Sequence, residues 1–161
     1  MSEIKKILKV AEGAKKENKK YLDKIAQKKP KGLDDSVHQK HDEFFETFDC
    51  LTCANCCKTT SPLFLDKDVE RLAKHFKIKP VEFTIKYLVI DEDGDKVLHS
   101  SPCPFLGKDN YCSVYEARPN ACREYPHTDR KKFYQITKET YFNTLICPAV
   151  ATIVEQLKKE F

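Results

Sequence analysis

Apolar positions recur at helical spacing through much of this chain. Between residues 3 and 28, Ile4, Ile7, Leu8, Ala11 and Ala14 form a stripe that Tyr21, Leu22 and Ile25 continue, with lysines on the opposite face. This predicts one amphipathic helix over 3–28, ended by Lys29-Pro30-Lys31-Gly32. A second helix is predicted over 34–48, with Val37, His41, Phe44, Phe45 and Phe48 turned inward. Pro62-Leu63-Phe64-Leu65 reads as extended. Asp66 reads as the N-cap of a helix reaching Phe76, because its carboxylate can accept from free backbone N–H groups. Pro80 opens another helix, ending near 88, at the position where its missing N–H costs nothing. Residues 87–90 and 96–99 flank Asp91-Glu92-Asp93-Gly94-Asp95 and read as a β-hairpin in which Gly94 supplies a positive φ. Four prolines keep 102–127 in loops. Residues 134–137 read as a strand. A last helix runs from Pro148 to about 159, with Val150, Ile153, Val154 and Leu157 as its stripe. The expected fold class is α+β, mostly α: a compact single domain with a small hairpin, metal-organised loops and an N-terminal basic helix. Residues 1–47 form the N-terminal helical segment and 48–161 the cysteine-cluster domain.

Composition changes this picture at one residue type. A chain of 161 residues is long enough for a real core, and eight of its residues are cysteine. The N-terminus shows no apolar run of the kind that opens a signal peptide, and no stretch has the length of a membrane span. A cytoplasmic protein is expected, with reduced thiols, and eight reduced thiols point to metal rather than to disulfides. The acidic turn at 91–95 is too short for a calcium-binding EF-hand loop. Charge is uneven. Residues 1–31 hold eleven lysines and four acids, whereas the rest holds eighteen basic and twenty-one acidic residues. The basic excess is an N-terminal property, so nucleic acid is a weak expectation, confined to that helix.

The chemistry centres on Cys50-Leu-Thr-Cys53-Ala-Asn-Cys56-Cys57. Each C-x2-C step lets a tight turn offer two thiolates to one centre, with backbone N–H groups aimed at the sulfurs. Cys56 and Cys57 are expected to point apart, serving different sites or dividing into one ligand and one packing residue. Cys103, Cys112, Cys122 and Cys147 are dispersed. Cys103 sits in the stiff tripeptide Pro102-Cys103-Pro104, and Cys147 precedes Pro148 at a helix start, where thiolate is favoured. Eight cysteines make two four-ligand sites, or one site with spare buried thiols. A C-x2-C-x2-C run with a distant Cys-Pro favours an iron–sulfur cluster, a four-iron cubane, over zinc, whose sites usually show two paired steps.

Four segments together resemble the YkgJ-like cysteine-cluster family, the CxxCxxCC domain. They are Phe48-Asp49-Cys50 through Cys57, Pro102-Cys103-Pro104-Phe105-Leu106, Cys112-Ser-Val-Tyr115-Glu116-Ala-Arg118-Pro119, and Cys122-Arg123-Glu-Tyr125-Pro126. The resemblance spans roughly residues 48–150. It implies a zinc- or iron-chelating domain with all eight cysteines as metal positions. It also implies a link to the cysteine block of flagellin lysine N-methylases, hence a protein-modifying enzyme with a protein substrate as the alternative to a zinc-dependent interaction module. Four glycines, none in a Gly-rich loop, give no sign of a conventional methyl-donor fold.

Arg118 and Arg123 flank Cys122 and are read as offsetting thiolate charge or binding loop carbonyls, with a pocket for an acidic ligand as the alternative. Tyr115 and Tyr125 read as packing residues with tethered hydroxyls. His127 can stand in for a cysteine ligand, whereas His38 and His41 read as surface and core residues. No HExxH or Ser-His-Asp pattern is present.

Overall fold

The computed structural model describes residues 1–161. It is mostly helical, with one two-stranded antiparallel sheet, as the patterning predicted. No helix is long and apolar enough to cross a membrane. Packing divides the chain into two compact units, residues 1–49 with 126–161, and residues 50–125. The last helices pack with the N-terminal ones.

The first unit holds α1 (Glu3–Gly13), α2 (Lys15–Lys28), α3 (Leu33–Phe45), α9 (Thr137–Asn143) and α10 (Pro148–Leu157). Stretch 3–28 is therefore two helices, not one. The break falls at Ala14 (φ −92°, ψ 8°), directly after Gly13, the weakest helix former in the stretch. Each half then finds its own partner, α1 against α10 and α2 against α9. Leu22, Ile25, Val37, Ile153, Val154 and Leu157 are fully buried here, each burial stabilising by about 1.5–3 kcal/mol. Helix α3 ends at Phe45 rather than 48, and its Phe44, Phe45 and Phe48 rings cluster half-buried. His38 Nε2 meets the Arg130 carbonyl at 2.8 Å and His41 Nδ1 meets Thr128 Oγ1 at 2.7 Å, so both histidines hold structure. The strand expected over 134–137 is instead a 3₁₀ turn, Phe133–Ile136. The carboxylate of Asp34 accepts the backbone N–H groups of Lys132 (2.6 Å) and Phe133 (2.9 Å), and the two-stranded sheet belongs to the other unit. Polar spacing hid α9, whose buried residues are threonines.

The second unit holds α4 (Cys50–Cys53), α5 (Asn55–Thr59), α6 (Asp66–Phe76), α7 (Pro80–Tyr87), β1 (Leu88–Ile90), β2 (Lys96–Leu98) and α8 (Asn120–Glu124). The hairpin pairs Leu88 with Leu98 and Ile90 with Lys96, and Gly94 turns it at φ 83°. Phe64, Leu72, Phe83, Leu98, Phe105 and Val114 form the core. Helix α6 is capped otherwise than expected. Asp66 pairs with Lys96, while the carboxylate of Asp68 at the third helical position accepts the Leu65 N–H at 2.9 Å. Asp68 wins because it is buried, where an unmet N–H is costly, whereas Asp66 faces water.

Candidate metal centre

Seven of the eight cysteines lie in the second unit; Cys147 stands in the first, buried as the N-cap of α10. Six of the seven, Cys50, Cys56, Cys57, Cys103, Cys112 and Cys122, line one cavity of about 280 Å³. Cys53 does not reach that lining. It sits three residues from Cys50 on the one-turn helix α4. Ala54, left-handed at φ 48° and buried, then restarts the chain as α5. The C-x2-C-x2-C run is thus two helical turns joined by a left-handed residue. Cys56 and Cys57 both border the cavity, and the Cys56 thiol hydrogen-bonds the Cys57 sulfur.

The dispersed cysteines are brought to this wall by backbone bonds. The Cys103 N–H donates to the Cys57 carbonyl at 2.8 Å, and Ser101 Oγ donates to the Lys58 carbonyl at 3.0 Å, tying the proline-flanked segment to α5. The chain then reverses. Gly107 N–H donates to the Tyr111 carbonyl at 2.8 Å, which returns Cys112 to pair with Leu106. A Cβ on Gly107 would lie 2.6 Å from Asp109 Oδ1 and 3.2 Å from the Tyr111 carbonyl, so a larger residue there would displace the Asp109 side chain and push on the carbonyl. Cys122 rides on α8, whose Asn120 N–H donates to Asp68 Oδ1 at 3.1 Å. Arg71 bridges the same elements, donating to Asp68 (2.6 Å) and to the carbonyls of Ala117 (3.2 Å) and Arg118 (2.8 Å). Sequence reasoning missed Asp68 and Arg71; their only signal was an i, i+3 acid–base pair in a helix.

The sulfurs feel one another. Burial pushes the Cys122 thiol up to about 12, with further upward pressure from Cys57, Cys103 and Cys112 and relief from Arg118. Burial likewise raises Cys103, against the N–H groups of Phe105 and Leu106 that point at its sulfur, and raises Cys112, against the N–H of Val114. Cys57 goes the other way, to about 7. The hydrogen bond from Cys56 is the main cause; its own N–H and the Lys58 charge add to it, while burial opposes. In the metal-free protein at pH 8, Cys57 is therefore mostly thiolate and Cys122 almost wholly thiol. Brief iodoacetamide treatment read by peptide mass spectrometry is expected to modify Cys57 more than about tenfold faster than Cys122. Equal rates would contradict this account.

The donor set suits a soft metal. Six thiols share a wall, backbone N–H groups are aimed at three of the sulfurs, and a guanidinium stands nearby. The thiols border a shared space rather than closing on one point, and no three His, Cys, Asp or Glu side chains stand in metal-holding geometry. His127, considered as a substitute ligand, belongs to the first unit. His99 Nε2 is bound to the Lys86 carbonyl at 2.7 Å. A family model described as "Putative zinc- or iron-chelating domain" matches residues 49–147, more than half of the chain. The chain belongs to this CxxCxxCC family. The CxxCxxCC match runs from the residue before Cys50 to Cys147 and so takes in all eight cysteines. Metal chelation is the property described for the family. No curated protein and no solved structure matches the chain.

The two arginines hold the loop as expected, but unequally. Arg123 donates to the carbonyls of Arg118 and Glu116. Arg118 donates from Nη1 to the Tyr115 carbonyl at 2.7 Å and lies over the Tyr115 ring, 3.8 Å from its centroid.

Proposed function

We propose that this CxxCxxCC domain holds an iron–sulfur cluster through the thiolates of Cys57, Cys103, Cys112 and Cys122. The observation carrying this reading is the cavity that these four line together with Cys50 and Cys56. A tetrahedral zinc about 2.3 Å from each of four sulfurs would draw them within about 4 Å of one another and leave no interior space. The cavity here is about 280 Å³, room for a group of several atoms. Cys50, Cys53 and Cys56 are the further sulfurs of the same unit, and a second site drawing on them would double the metal content. When bound, such a cluster supplies one-electron transfer or, at an iron with an open position, ligand binding. The chain's own residues partly cover the sulfurs, aim N–H groups at Cys103 and Cys112, and place Arg118 against the negative charge. Thiolate ligation displaces protons, so metal affinity falls as pH falls.

Anaerobic purification with elemental and sulfide analysis and a visible spectrum tests this. About four irons and four sulfides per chain, with a broad visible absorption, is expected for one cubane, and about twice that for two. A colourless, zinc-loaded protein would transfer the site to zinc, and the N–H groups facing Cys103 and Cys112 would then serve a structural zinc knuckle. Protein that takes up neither metal would end the reading.

A further inference from the structure

We propose that the first unit binds a small alkylated ammonium ion in the groove between α1 and α3. The site is independent of the metal centre, since all its residues belong to the first unit. The groove has a volume of about 380 Å³, within the ordinary range of about 300–1,000 Å³ for small-molecule sites. Ile4 and Ile7 line it from α1, and Phe44 and Phe48 line it from the end of α3 and the turn after it. The two rings pack against each other with centroids 4.8 Å apart. Such a wall takes up alkyl groups, and phenyl rings also attract a cation placed beside them.

The charge at the rim sets the sign of the ligand. Residues 1–31 carry eleven lysines, yet none of them lines this groove. Glu3 and Glu43 border it without an ion-pair partner. Lys40 is the one cation on the lining, and its ammonium is already committed to Glu160 and to Ser36 Oγ at 3.2 Å. Glu43 Oε1 accepts from Gln39 Nε2 at 2.8 Å, which steadies the side chain and leaves Oε2 for a further contact. The groove therefore combines negative charge with apolar walls. A cation clad in alkyl groups matches both properties. A hydrated metal ion matches only the charge, and a fatty anion only the walls. A free ion fits better than a phosphocholine headgroup, whose phosphate would enter the field of two carboxylates. The competing role for the two acids is local. Glu3 stands in the first turn of α1, where a carboxylate complements the helix dipole, and Glu43 braces Gln39. That role predicts no ligand.

The experiment uses the full chain as purified, with choline and its uncharged isostere, 3,3-dimethylbutan-1-ol, as probes in ligand-detected NMR titrations. Choline is expected to bind at least about fivefold more tightly than the alcohol, because only choline carries the charge that the carboxylates and rings attract. That preference is expected to shrink at about 0.5 M sodium chloride, where exposed charges are screened. The double variant Glu3→Gln/Glu43→Gln changes two exposed residues and is expected to keep the wild-type circular dichroism spectrum. It is expected to bring the two affinities within about twofold of each other, with the alcohol's unchanged. Phe48→Ala is expected to weaken both probes alike, and phosphocholine to bind more weakly than choline. Equal binding of choline and the alcohol to the wild type overturns the proposal, as does binding of neither. A double variant that keeps the full preference for choline, or phosphocholine bound as tightly as choline, overturns it too.

Discussion

Cys103→Ser is expected to remove metal from the protein and to melt residues 50–125 in the same step. Cys103 is held at three points. Its N–H is bonded to the Cys57 carbonyl, its sulfur faces the N–H groups of Phe105 and Leu106, and its side chain packs on the core beside Phe105. Serine keeps the backbone bond but is a poor ligand for a soft metal. Because a thiolate site scarcely exists in an unfolded chain, binding energy and folding energy are one quantity. Metal content below about a tenth of wild type and a lower melting temperature are expected, read by elemental analysis and circular dichroism. A Cys103→Ser protein that stays folded with full metal would remove this residue from the ligand set. Cys53→Ser makes a pointed comparison. The C-x2-C spacing predicts the same loss there, although Cys53 lies outside the cavity lining.

Asp68→Ala is expected to destabilise the second unit by about 3–5 kcal/mol although Asp68 carries none of the metal chemistry. Its carboxylate is almost completely buried and accepts from the Leu65 N–H, the Arg71 guanidinium and the Asn120 N–H. Alanine leaves all three donors short of a partner, one of them charged. The first caps α6 and the third starts α8, the helix that carries Cys122. A fall in melting temperature of at least about 12 °C follows for a unit of this size, with weaker metal retention through Cys122. Asp68→Asn keeps one acceptor oxygen and should fall between the two. If Asp68→Ala melts like wild type, the network does not position Cys122.

Wherever apolar spacing alone decides the outcome, the elements were legible. The α10 stripe of Val150, Ile153, Val154 and Leu157 is buried as its period predicts, and Gly94 turns the hairpin as its flanking strands require. Several of the differences share a cause, a distant partner that local pattern does not contain. Residues 134–137 have strand-like composition, but Asp34, about a hundred positions away, takes the N–H groups of Lys132 and Phe133 just before them and starts a 3₁₀ turn. Asp66 and Asp68 look equally able to cap α6, and only burial against Arg71 and Asn120 selects Asp68. The single helix over 3–28 divides because α9 and α10 offer its two halves different surfaces.

By itself the sequence determined that this is a mostly helical protein of the CxxCxxCC family with a thiol-rich segment, because helix periodicity and C-x2-C spacing are local properties of a chain. Tertiary structure alone decided which sulfurs share a space. Cys103, Cys112 and Cys122 stand 46 to 65 positions beyond Cys57. They meet it through backbone hydrogen bonds, a tight reversal at Gly107 and one buried carboxylate. Contacts of such long range form only when the core beneath them does, and for that reason no spacing rule could have grouped them.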